Sequence, residues 1–163
     1  MEAASQQTVS FGRPVTEPYL IPVIHNSTPS CINVPFMVEG DEYRVTSFSL
    51  HGSTGARTYG VVITDNVDII DISFHGRALA NHPLFPSGAD IVFVQIESKD
   101  LLKARFYEKE EGVVSFSERG ACAAFIAAKM MQKTFELQAV VEMDGKTCRV
   151  EWDGVDGEVS LTR

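Results

Sequence analysis

Ser115-Phe-Ser-Glu-Arg-Gly-Ala-Cys-Ala-Ala-Phe-Ile-Ala-Ala-Lys129 most constrains how this chain can fold. From Gly120 to Ala128 no side chain carries a charge or a hydroxyl. A helix that is apolar all round must be buried. Most of its residues are also small, so neighbouring backbones can approach from every side. The pattern predicts a central helix at about 118–132, with antiparallel strands curved around it in a barrel-like sheet. Its N-terminus would then matter most, because unpaired N–H groups and partial positive charge are presented there.

The remaining pattern agrees with an α+β class. Short strand patterns occur at Thr8–Phe11, Ile32–Val38, Tyr43–Leu50 and Tyr59–Thr64. Others follow at Ile91–Ile96, Leu101–Tyr107, Val113–Val114, Phe135–Met143, Thr147–Trp152 and Glu158–Thr162. A short second helix is predicted from Asp71 to Leu79, capped by Asp71 or Ser73. His51-Gly-Ser-Thr-Gly-Ala56 reads as a flexible loop. Residues 13–31, with four prolines, read as an extended connection anchored by Tyr19, Leu20, Ile21 and Val23. Residues 1–7 are expected to be disordered and 8–163 to form one domain.

Charge and composition exclude several classes. The net charge of −8 argues against nucleic acid or anionic lipid as a partner. No run approaches the roughly 18 apolar residues of a membrane span. The polar, acidic N-terminus is unlike a signal peptide, so a cytoplasmic protein is expected. Cys31, Cys122 and Cys148 are odd in number and widely spaced, which argues against a disulfide framework. No C-x-x-C or paired histidines point to a metal.

Several stretches carry a family resemblance. They are Phe11-Gly-Arg-Pro14, Asn81-His-Pro-Leu-Phe-Pro86 before Ile91-Val-Phe-Val-Gln95, and Arg105-Phe-Tyr-Glu108 before Gly120-Ala-Cys-Ala-Ala124. Val150-Glu-Trp-Asp153 before Gly157-Glu-Val-Ser-Leu-Thr162 completes the set. In this order and spacing the chain resembles the C-terminal half of a diaminopimelate epimerase, from about residue 8 onward. The resemblance implies one of two pseudo-symmetric halves, each a sheet wrapped around a helix, with the site in the cleft between them. It implies cofactor-free proton transfer at a substrate Cα by two cysteines, one from each half.

Laid on residue by residue, the site positions have changed. The family's catalytic cysteine falls on Ser117, and an alcohol is a far poorer base than a thiolate. Its Glu-Arg pair falls on Glu108 and Lys109. The small pair whose backbone holds the substrate carboxylate falls on Glu118 and Arg119. The substrate-binding asparagine falls on Asp90. The Gly-Asn-Pro-His motif has no counterpart, the aligned region being Ala56-Arg-Thr-Tyr59. The partner half's Gly-Asn-Gly motif is absent from the sequence.

Glu108, Ser117, Asp90 and His51 are therefore the candidate catalytic groups, and Arg57, Lys109, Glu118 and Arg119 the candidate ligand-binding groups. Ser117 has a competing structural role as a helix cap. The first reading is a diverged, cofactor-independent isomerase, epimerase or cyclase acting on a small molecule. Its cleft would form between two half-domains, supplied by a homodimer or a second half, and it would not be a true diaminopimelate epimerase. The second is a non-catalytic ligand-binding or partner-regulating module that kept the fold. Whether the chain is a natural short protein or an excised half stays open at this point, as do the ligand and the existence of a reaction.

Overall fold

The computed structural model describes residues 7–24, 30–52, 55–154 and 157–163. The segment expected to be disordered lies outside these residues except for Gln7, whose carbonyl accepts the Arg163 N–H (3.1 Å). In chain order the strands are β1 (Thr8–Ser10), β2 (Val34–Val38), β3 (Asp41–Gly52), β4 (Gly55–Ile63) and β5 (Asp90–Ser98). They continue with β6 (Leu101–Glu108), β7 (Gly112–Val114), β8 (Gln138–Met143), β9 (Lys146–Glu151) and β10 (Ser160–Thr162). The helices are α1 (Ile72–Ala80) and α2 (Glu118–Met130), with 3-10 turns at Pro18–Leu20 and Val67–Ile69.

The strands form one ten-stranded sheet in the order β1-β10-β9-β8-β6-β5-β4-β3-β2, with β7 pairing on β6. A single stretch of chain runs from β1 to a bridge on β3. Residues 8–10 pair with β10, and five residues later Val15 exchanges two backbone hydrogen bonds with Ser49 of β3 (2.9 and 3.0 Å). Two neighbouring pairs, β4/β5 and β6/β8, are parallel, where the patterning predicted antiparallel neighbours. The reason is connectivity. α1 lies between β4 and β5 in the chain, and α2 between β6 and β8. A helical crossover returns the chain in the same direction.

Strand alternation divides the core between the two helices. Phe48, Leu50, Tyr59, Val61, Val92, Val94, Leu102, Ala104 and Phe106 share a buried cluster with α2. Phe36, Val45, Val62, Ile91, Phe93 and Tyr107 point the other way and cluster with Leu79 and Ala80 of α1. α2 touches β3, β4, β5, β6, β8, β9 and β10. Every residue from Gly120 to Ala128 is buried, as its composition requires. α1 is capped by Asp71, whose carboxylate accepts the Phe74 N–H (3.1 Å).

Two local expectations change. The His51–Ala56 stretch is not simply a loop: His51 pairs with Ala56 and Gly52 with Gly55. Cross-strand hydrogen bonding overrides the low strand preference of glycine there. Of the expected anchors in the connection, Ile21 is buried and Val23 packs on the core, but Tyr19 is 86% exposed and Leu20 68%. The turn Pro18–Leu20 aims these two side chains outward. Among the described residues no helix is long and apolar enough to cross a membrane.

Candidate functional site

Strand register builds the floor of the site. Tyr59 on β4 lies opposite Asp90 on β5, and Ile91 lies opposite Tyr107 on β6. One step along, Glu108 follows Tyr107 beside Asp90. Alternation turns Tyr59, Asp90 and Glu108 to the α2 side, with Val61, Val92 and Phe106. Arg57, two residues before Tyr59, joins the same face. The N-terminus of α2 forms one wall. Arg57, Tyr59, Glu108, Phe116, Ser117, Glu118 and Arg119, with Phe11 from the opening segment, line a recess of about 370 Å³.

Each side chain has a defined state. Ser117 is the N-cap of α2, and its Oγ accepts the Gly120 N–H (2.9 Å). The hydroxyl is thus committed to the orphan donors that a helix start must satisfy. Glu118 turns both carboxylate oxygens to Arg163, with Nη2 donating to Oε1 (2.8 Å) and Nε to Oε2. Arg119 lies 5.8 Å above the Phe11 ring, and its buried Nε–H has no hydrogen-bond partner among the described residues. An unsatisfied donor of a charged group is costly to bury.

Glu108 is the titratable group of the recess. Burial raises its pKa above the ordinary 4.5, and the neighbouring Asp90 charge raises it further, while Arg57 acts against both. Burial also pushes the Tyr59 phenol up, with Asp90 adding to the effect. Tyr59 is therefore a neutral donor throughout the physiological range.

Asp90 and Lys109 stand behind this recess. Asp90 is buried, and both its oxygens are engaged: Arg57 Nη1 donates to Oδ2 (2.9 Å) and the Lys109 N–H to Oδ1 (2.8 Å). The bond to Asp90 raises the Arg57 pKa. Lys109 Nζ donates to the Ser87 carbonyl (2.7 Å). Asp90, Lys109 and Arg57 line a neighbouring recess of about 220 Å³. Asp90 thus holds Arg57 in place and lines the smaller recess rather than the larger one.

The structure brings Arg57, Glu108, Ser117, Glu118 and Arg119 together and sets Asp90 and Lys109 next to them. His51 is not brought in. It follows Leu50 on β3, so alternation sends it to the other face, and it lines neither recess. Sequence reasoning missed Tyr59, Phe11, Phe116 and Arg163. Tyr59 is two residues from Arg57 on one strand and Phe116 directly precedes Ser117, signals that were legible; Phe11 and Arg163 arrive from distant parts of the chain.

No cysteine lines either of these recesses. All three are buried. Burial pushes Cys31 and Cys148 up to about 11 and drives Cys122 well above its ordinary value. Among the described residues no group of three His, Cys, Asp or Glu side chains is placed to hold a metal ion.

Known proteins are similar to this chain in sequence and fold. The diaminopimelate epimerase of Leptospira biflexa is 30% identical over 155 residues, covering 95% of this chain and 53% of the relative. That of Acetivibrio thermocellus is 31% identical over 155 residues, covering 94% and 52%. A crystal structure of a probable proline racemase from Agrobacterium radiobacter K84, with bound carbonate, superposes with a TM-score of 0.62 at 10% identity. It covers 96% of this chain and 49% of that one. The chain has a diaminopimelate-epimerase-like fold. A hydroxyproline epimerase from Agrobacterium vitis, with bound trans-4-hydroxy-L-proline, superposes on this diaminopimelate-epimerase-like chain with a TM-score of 0.56 at 11% identity. That match covers 96% of this chain and 49% of the other. No family model matches the chain. It spans about half the length of the curated relatives it matches, so it corresponds to one diaminopimelate-epimerase-like half. These relatives are epimerase and racemase isomerases.

Proposed function

We propose that this chain supplies one wall of a cofactor-independent isomerase cleft acting on a small carboxylate-bearing molecule. The convergence of Arg57, Arg119, Tyr59 and Glu108 on one recess carries the reading. Two guanidiniums and the N-terminus of α2 would receive the anionic end of the ligand. Glu108 would then take the proton from the adjacent carbon. Its raised pKa brings it closer to the range where a carboxyl both accepts and donates a proton.

Inversion at carbon needs a second acid–base group on the opposite face, to return a proton as Glu108 removes one. A second copy of the chain or another half-domain would supply it across the open side of the recess. Ser117 has no part in the transfer, because its hydroxyl is the cap of α2. That substitution separates the proposed activity from that of a true diaminopimelate epimerase.

Incubation of the protein with a panel of α-amino acids in deuterated water tests this, with loss of the Cα proton followed by NMR. Exchange is expected on at least one compound, and Glu108→Gln should slow it by about 100-fold or more. Full activity in that variant would remove Glu108 from the mechanism. The capped Ser117 and the three buried, high-pKa cysteines favour a second reading, a ligand-binding module without turnover. Saturable binding with no exchange across the panel would select it.

A further inference from the structure

The proposed anion recess has an acid at its mouth. Glu118 is the first residue of α2 and lines the recess. A carboxylate there competes with an incoming anion for the positive end of the helix. Arg163 engages that carboxylate through two parallel bonds. Arg163 is itself fixed from elsewhere. Its backbone N–H donates to the Gln7 carbonyl (3.1 Å), and its remaining Nη1 bonds the Gln7 side chain. It directly follows β10, whose Thr162 pairs with Thr8 of β1. The fork is therefore anchored to the sheet edge, and it draws Glu118 toward that edge.

We propose that Arg163 is a positioning residue for anion entry: by pairing with Glu118, it neutralises the carboxylate that lines the recess at the helix end and leaves an entering anion to Arg57 and Arg119. The geometry supports a hold stronger than that of an ordinary surface pair. The Glu118 side chain is only 19% exposed, and the contact is bidentate. Release of Glu118 would return a negative charge to the wall that also carries Arg119, with no change in the recess floor. The inference rests on the reading that the recess takes an anion.

Acetate is a suitable probe, titrated at constant ionic strength against chloride into ¹⁵N-labelled protein. The reporter is the Nε–Hε resonance of Arg119, a residue that lines the recess. In the unsubstituted protein acetate should shift this resonance saturably. Arg163→Ala should weaken acetate by about fivefold, the effect of one uncompensated nearby charge. Adding Glu118→Gln to Arg163→Ala should restore the original affinity.

No acetate response in the unsubstituted protein would overturn the anion recess itself. A normal response with unchanged affinity in Arg163→Ala would overturn only the role of Arg163. Weakening that Glu118→Gln does not relieve would mark Arg163 as a structural tie. If Arg163→Ala fails to fold, Arg163→Gln removes the same charge while keeping most of the side chain, and an unchanged acetate affinity there would overturn the role of Arg163.

Discussion

Glu108 carries the clearest consequence at the scale of single residues. Its folded pKa is raised above 4.5, chiefly by burial and then by Asp90. The folded state therefore binds a proton that the unfolded state has already released, in the window between those two values. Stability falls as pH rises through that window and levels off above it. Glu108→Gln keeps the shape and removes the titration. Compared by urea denaturation, the variant should match the original at about pH 4 and exceed it at about pH 8. Equal stability differences at both values would show that burial is not what perturbs this carboxyl. Ser117 and Glu118 illustrate a different residue-scale point. The sequence left Ser117 as either cap or nucleophile, and the bond from Gly120 decides for the cap. It left Glu118 as a repulsive neighbour of any anion, and Arg163, 45 residues away, alters that.

At the scale of elements, close approach explains the small residues. Gly76 lies on the buried face of α1, against Tyr107 of β6. A Cβ added there would sit 2.6 Å from Tyr107 Cγ, inside the contact distance of any real pair. Helix propensity alone favours alanine over glycine by about 1 kcal/mol. Overpacking against a ring held in the sheet costs about 1–3 kcal/mol and should win. Gly76→Ala is thus expected to destabilise the protein, seen as a lower urea midpoint with an unchanged slope. An increase in midpoint would mean that α1 can shift off β6. Gly120 makes a similar approach in α2, where a Cβ would meet Phe106 at 2.7 Å and Ser117 Oγ at 2.8 Å. Crowding there would disturb the cap and the recess together. Both glycines were visible in the sequence, but their opposing rings were not.

At the scale of the whole molecule, the recess is walled by one half only, and relatives of this chain are about twice its length. A closed cleft then requires a second copy or another half-domain. Light scattering after size exclusion should give a dimer when the chain is alone, in the commonest two-fold arrangement. A monomer that still exchanged Cα protons would sink the shared-cleft proposal. The sequence by itself determined the buried helix, because nine consecutive residues without a charge or hydroxyl have no stable place in water. It also determined the cap of α1 and most of the strands, since each is a local pattern. Only the tertiary structure decided which polar groups meet. Tyr59, Asp90 and Glu108 form a row through the registers of β4, β5 and β6, and His51 leaves the site through the alternation of β3. Gln7, Glu118 and Arg163 meet because β1 pairs with β10, a contact between opposite ends of the described chain. Register and long-range pairing come from summed packing and hydrogen bonding across the sheet, and no short window of sequence contains those sums.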